Sequence, residues 1–405
     1  MDTIDFDPRT PLPGPPDPWA STDTPSHRDG PPFHMTDMIA AEPYLAERLL
    51  GRLAGPAGSA AALAGAVRDA LAAGAQVVIT GCGTSEHGAL AVAEILREAT
   101  GSHLITSAQA FELAAEPPSR GLVVGISHEG ATGATNAALS ASRAAGAMTA
   151  LITVSGRSPG AALADIVVAT GELDQSWCHT VGYVSPIVAG TAVAGHVTGS
   201  AGTGSALAGA VARDILAAGS TPSAAAAAEA VAGALSGVDR ILVLASGADR
   251  PAGRELVLKI EEGAWLPAAY RDLETFLHGH LAATDASTGL VVVATDRRAR
   301  PTRVSRVRGA LAAARVIGMP TAAIVTTGVD ALLPAELTTV GRIVVAEPPA
   351  SVPDAVAALL GSATALQTLT ERLARARGID PDPIHRDVDR YRAAADAADA
   401  ADAAG

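Results

Sequence analysis

Twice within residues 76–146 a short apolar run gives way to a turn rich in glycine and hydroxyls, and the turn to a helix-forming segment. Residues 76–80 lead into Gly81-Cys82-Gly83-Thr84-Ser85 and then HGALAVAEILREATG. Residues 121–126 lead into Ser127-His128-Glu129-Gly130-Ala131-Thr132 and then ATNAALSASRAAG. Unbroken apolar runs of this length are what strands look like when a sheet is buried on both faces. Their alternation with helices predicts a mostly parallel sheet with helices on each side. Further strands are expected at 148–154 and 166–169. After a polar break at Ser220-Thr221-Pro222 the alternation resumes, with strands expected at 240–245, 289–295, 321–326 and 342–346. The second half repeats the element order of the first without repeating its sequence. The chain therefore reads as two tandem α/β domains of one plan.

The turns carry the first functional signal. The opening N–H groups of a helix have no partners within it, and glycine lets an oxyanion approach them. Ligands of parallel sheets sit beyond the carboxyl ends of the strands. Both turns belong at that edge, as does the loop GELDQSWCHTVGYVSP with Trp177 and His179. The same residues also suit an unoccupied turn in which Thr84 or Ser85 merely caps its helix. Trp177 suits stacking on a sugar face or plain packing. Cys82 and Cys178 read as small space-fillers, and His87 as a residue on the surface of a first helical turn.

The second signal is RELVLKIEEGAWLPAAYRDLETFLHGHL, which holds the only lysine, Lys259. Glu262 follows three residues later, on the same helical face. His278-Gly279-His280 comes after a polar-aromatic segment. Carboxylate, amine and imidazole together suit proton transfer on a carbon next to a carbonyl. An ordinary ion pair on a surface helix fits these residues equally well.

Composition bounds the rest. A formal net charge of −13 argues against a nucleic-acid surface, which needs a basic stripe. No apolar run reaches the roughly 18 residues of a membrane span. The nearest, residues 185–218, is interrupted by His196, glycines and hydroxyls and is expected to form one buried helix. Two cysteines make no disulfide framework. No signal peptide is visible, so a cytoplasmic location is expected. No metal site is expected, since His278 and His280 lack a carboxylate–histidine helix motif beside them. Helices are expected from His34, with a kink or break at Pro43, and again up to Gly74. The proline-rich residues 1–33 are expected to be disordered, and residues 379–405 to form a fraying tail.

Four of these motifs resemble, in order and spacing, those of the sugar isomerase (SIS) domain family. GCGTS at 81–85 is similar to the family's first signature and SHEGAT at 127–132 to its second. The loop from Gly171 is similar to the third. ELVLKIEE followed by FLHGHL resembles the paired motifs of the second domain. The resemblance covers about residues 35–390. It implies a flavodoxin-like, doubly wound fold in each of two domains, 34–219 and 222–378.

It also implies a chemistry close to that of the isomerase half of glucosamine-6-phosphate synthase and the related deaminases, isomerases and deglycases. By resemblance, Thr84, Ser85, Ser127, His128 and Thr132 would bind a sugar phosphate, with Trp177 and His179 beside the sugar. Glu262 would carry a proton between C1 and C2, and Lys259 would stand beside it. His278 would open the sugar ring from the neighbouring subunit of a homodimer with a shared active site. No cofactor is implied. The alternative is a non-catalytic sensor of carbohydrate derivatives, although a sensor needs the turns and not the acid–base pair.

Three departures qualify the likeness. No glutaminase domain is expected. DPDPIHRDVDRYR, where the synthases carry an imine-forming lysine, has none. His385 and Arg386 stand where the tail would close the site. Glu129 replaces the serine common in the second turn, and its charge opposes a phosphate. Either Glu129 points away from the ligand or the substrate lacks a phosphate there, and the second alternative predicts an unusual sugar.

Overall fold

The computed structural model describes residues 6–21, 25–199 and 205–402. Two helices, α1 (His34–Leu53) and α2 (Ser59–Ala72), precede the first sheet. There follow β1 (Val77–Gly81), α3 (Thr84–Thr100), β2 (Ile105–Gln109), α4 (Ala110–Ala115) and β3 (Leu122–Ile126). Next come α5 (Gly133–Ala145), β4 (Met148–Thr153), β5 (Ile166–Ala169), α6 (Val181–Val197) and α7 (Ser205–Ala218). The second half runs α8 (Pro222–Leu235), β6 (Arg240–Ala245), α9 (Arg250–Ala264), β7 (Ala268–Asp272), α10 (Leu273–Leu277) and β8 (Thr288–Ala294). It continues through α11 (Arg300–Ile317), β9 (Thr321–Thr326), α12 (Thr327–Asp330), β10 (Gly341–Val345), α13 (Asp354–Ala376) and α14 (Asp389–Asp402).

The strands pair in parallel throughout, in the orders β2-β1-β3-β4-β5 and β10-β9-β8-β6-β7. Read from the other edge, the second order is the first repeated, strand for strand. Both are doubly wound, and in both the winding reverses beside the first strand, where such sheets bind ligands. The inner strands β1, β3, β8 and β9 are buried along almost their whole length. That burial explains why they read as continuous apolar runs.

The two domains are fastened by α13. Its first half, from Ala355 to Ala363, packs into the core of the first domain, and Leu366, Leu369 and Leu373 pack into that of the second. Gln367 on the same helix donates to the wholly buried Glu42 of α1 (3.0 Å). Burial, then the charge of Asp174, hold Glu42 well above the usual carboxylate range.

Five expectations need correction. Strands β2 and β7 were not foreseen, because both are edge strands, half-buried and polar (ITSAQ, AAYRD). The single helix expected over 185–218 ends at Val197 and a second begins at Ser205; residues 200–204 lie outside the described ones. The described part of the leader is packed rather than disordered. Leu12 and Phe33 are buried, Leu12 N–H donates to Glu172 (3.0 Å), and Arg28 pairs with Asp37 (2.7 Å). These few long-range anchors leave no periodic signal. In the tail, residues 389–402 form a helix, and the segment before it is tied to the first domain. Helix α1 runs through Pro43 without a break.

No described helix is long and apolar enough to cross a membrane.

Candidate active site between the two domains

Each of the two turns of the first domain closes around one glycine requirement. A side chain on Gly81 would lie 2.6 Å from the Ser85 carbonyl oxygen, and one on Gly130 would overlap the Ser158 hydroxyl, with φ already at +73°. Glycine alone satisfies either position. In the second turn Ser127 Oγ accepts the Gly130 N–H (3.1 Å) and lies 3.0 Å from Thr132 Oγ1. Ser127 is buried and Thr132 exposed at the head of α5. Thr84 and Ser85 open α3.

His128 is placed differently from the sequence expectation. Its ring is buried and Nε2 accepts the backbone N–H of Asp174 (2.9 Å), tying the turn to the loop from Gly171. The accepting Nε2 makes Nδ1 the protonated nitrogen of a neutral ring. Burial, then the neighbouring His179, push its pKa down to about 4. His179 lies 5.4 Å from it, ring centre to ring centre, and 6.1 Å from Trp177. Asp174 organises this loop by accepting N–H groups of Ser176, Thr180 and Gly182 (3.1, 2.8 and 3.1 Å). Burial raises its pKa, but hydrogen bonding and charge from His179, with the other partners, outweigh that and hold it at about 2.

The second domain delivers α9 against these turns. Lys259 is wholly buried, with Nζ 2.5 Å from Glu262 Oε2 and 3.6 Å from Glu255 Oε1. Glu255, also wholly buried, accepts from Thr84 Oγ1 (3.3 Å) and lies 2.7 Å from His87 Nδ1. The carboxylate one turn before Lys259 therefore joins the first turn of one domain to the lysine of the other. Burial disfavours the Lys259 ammonium, but the charge of Glu262, with that of Glu255, raises its pKa above the ordinary lysine value. Burial likewise opposes the Glu255 charge, and Lys259, then His87, lower its pKa below the usual value. The Glu262 side chain is 24% exposed, so its carboxylate is open to solvent in part while its partner stays sealed.

The surface ion pair that the sequence also allowed is thereby excluded for Lys259. Glu255 was missed, although its place at i−4 from Lys259 puts it on the same helical face. His87, read as a surface residue, is part-buried against it. Cys178 is buried, as a space-filler would be, and burial raises its thiol pKa.

His278 is not brought to this cluster within the chain. It is 72% exposed at its side chain and lies 2.8 Å from Glu274, which also pairs with Arg306. His280 accepts from Arg271 (3.0 Å).

The tail packs against the loop from Gly171 and against α1. Trp177 N–H donates to the Asp382 carbonyl (3.0 Å), and the Asp382 carboxylate caps α1 by accepting from His34 and Met35 (2.7 and 2.8 Å). Arg386 lies with its guanidinium 3.8 Å from the centre of the Trp177 ring. A separate cavity of about 510 Å³ lies between α1, α3, α6, α7 and residues 350–354. Two of its polar groups are already engaged: Glu98 accepts two N–H groups of α13, and His196 bonds to the Leu53 carbonyl.

No family model matches the chain, and no curated protein matches it in sequence. Solved structures do. The C-terminal domain of glucosamine-fructose-6-phosphate aminotransferase from Francisella tularensis matches at a TM-score of 0.73 and 18% identity, over 88% of this chain and 99% of that one. Tagatose-6-phosphate ketose/aldose isomerase from Escherichia coli matches at 0.67 and 19%, over 90% and 98%. Glucosamine-6-phosphate deaminase from Thermotoga maritima matches at 0.61 and 18%, over 86% and 97%. The two repeated sheets, their winding and these matches over nearly whole chains make this a protein of the tandem SIS fold.

Proposed function

We propose that the chain is a sugar-phosphate isomerase or amino-sugar-phosphate deaminase or deglycase that works by enolisation between C1 and C2. The observation that carries this reading is the buried Lys259 held 2.5 Å from Glu262 and linked through Glu255 to Thr84 of the first turn. A part-exposed carboxylate on a rigid helix can take a proton from one carbon and return it to the next. The ammonium beside it favours the negative charge that develops on the enediol oxygen. The turns at Thr84–Ser85 and Ser127–Thr132 would hold the phosphate, and Trp177 and His179 would flank the sugar.

Lys259 is better suited to this electrostatic role than to imine formation. An imine needs a neutral amine, whereas burial between two carboxylates keeps Lys259 an ammonium. With no lysine in the tail, isomerase or amine-removing chemistry fits better than synthase chemistry. The exposure of His278 accords with a residue given to a second subunit, so a homodimer with shared sites belongs to the proposal.

The test is proton NMR in D2O with a panel of aldose, ketose and amino-sugar phosphates. The wild type is expected to wash out the C1 or C2 proton of one of them. Glu262→Gln should slow that exchange about 10²- to 10⁴-fold, the usual weight of one acid–base group. Binding without exchange at any position would favour the sensor and leave Glu262 a structural residue.

A further inference from the structure

The acid–base reading leaves two charged groups of the site unused: Glu129 in the second turn and Arg386 in the tail. Two negative charges held close together repel in water, and several times more strongly at the effective dielectric near a protein surface. A carboxylate in the turn therefore works against a phosphate there unless a cation offsets it. Lys259, the only lysine, is held between Glu255 and Glu262.

Arg386 is built into position rather than left on a loose end. Pro381 packs against α9 at Gly263, the residue after Glu262, and the Asp382 carbonyl accepts the Trp177 N–H. Ile384 and His385 then take left-handed backbone conformations, with φ of 42° and 61°. Such geometry is unfavourable for residues with a side chain and persists only where the surroundings impose it. Here His385 is stacked between Trp265 (3.6 Å) and Tyr391 (4.3 Å), and Arg386 N–H donates to the Pro383 carbonyl (2.7 Å). The strained turn aims the next side chain over Trp177, where burial lowers its pKa and the carboxylates of Glu262 and Glu129 oppose that shift. Arg386 itself is exposed.

We infer that Arg386 is a specificity residue for the anionic end of the substrate. It offsets Glu129 and, with the Ser127–Thr132 turn, lets the site prefer a phosphorylated sugar to the same sugar without its phosphate. Its planar donors match a pair of phosphate oxygens, and Trp177 fixes the plane they lie in. This rests on the sugar-binding reading above and adds a residue that the acid–base pair does not require.

The probes are fructose 6-phosphate and fructose, titrated by NMR against the full chain as wild type, Arg386→Gln, Arg386→Lys, Glu129→Ser and the Arg386→Gln/Glu129→Ser pair. Arg386→Gln should weaken fructose 6-phosphate about tenfold and leave fructose within about twofold, as expected for one charge-assisted contact. Arg386→Lys should recover part of the loss, and Glu129→Ser should tighten phosphate binding and rescue Arg386→Gln. Equal weakening of both sugars, or no advantage of lysine over glutamine, would make Arg386 a mere lid residue and overturn the inference. Selective binding without C1 or C2 exchange would sink the enolisation proposal alone. Failure of the wild type to bind either probe would count against both.

Discussion

The turns of the first domain and those of the second occupy the same places in the same winding, yet they are filled differently. In the first domain the Ser127 hydroxyl serves the second turn, and Thr84 reaches across to Glu255. In the second, Asp249 accepts the N–H groups of Thr295 and Asp296 (2.8 and 2.9 Å) as well as the Thr295 hydroxyl. Asp296 accepts the N–H of Ala248 and of Arg298 (both 2.9 Å), and Arg303 bonds to Ser246 (2.6 Å). The protein's own carboxylates stand where an external anion would. One copy of the fold can therefore offer its strand ends to a ligand while the other uses them as internal fastening. What differs is the side chains at two turns, not the topology.

The largest effect should come from the joint between the two regions. Lys259→Met would leave Glu255 and Glu262 as neighbouring carboxylates without their cation. A loss of about 3–5 kcal/mol is expected, the usual result of removing one partner of a buried pair. Adding Glu255→Gln should return part of it. Urea denaturation of the two variants decides the matter, and equal losses in both would mean that Glu255 is not coupled to Lys259.

The two regions should also answer pH with opposite signs. His128 has its folded pKa depressed to about 4, so the unfolded chain takes up the proton first as pH falls. Its contribution is lost between about pH 6.5 and pH 4 and amounts to about 3 kcal/mol at most. Asp249 is raised to about 6, by burial first, with its hydrogen bonds opposing. Its contribution is present below about pH 4 and is lost as pH rises through about 6, again by about 3 kcal/mol at most. His128→Gln should flatten the first slope and Asp249→Asn the second. If both variants keep the wild-type pH profile, the assignments fail.

A sharper contrast is in binding. Ser127→Ala should weaken sugar-phosphate binding by about tenfold, about 1.4 kcal/mol, whereas Ser246→Ala in the second domain should leave it unchanged. Calorimetry on the two variants measures the contrast directly; parity between them would dissolve it. The smallest effect concerns the tail. Asp382→Ala removes a cap from α1 and should cost about 1 kcal/mol, read as a lower urea midpoint.

The division between legible and illegible residues follows the physics of burial. Inner strands such as β3 and β9 were visible because both faces are covered, which forces an apolar run. Strands β2 and β7 were not, because edge strands tolerate polar residues on partly exposed faces. The Lys259–Glu262 pair was legible from its three-residue spacing, but its burial was not, since no local pattern says which helical face meets another domain. Glu255 and His87 escaped for the same reason: their partnership spans 168 residues. Arg386 could be assigned only to the neighbourhood of the closing tail. Its place over Trp177 depends on a left-handed turn at Ile384 and His385, a conformation that a β-branched residue such as Ile384 seldom adopts.

The most direct test of the asymmetry is a crystal structure with fructose 6-phosphate bound. The phosphate should lie against the turns at Thr84–Ser85 and Ser127–Thr132, with C1 and C2 within hydrogen-bond reach of Glu262. A phosphate seated on Ser246–Asp249, or a sugar bound away from Glu262, would contradict the account.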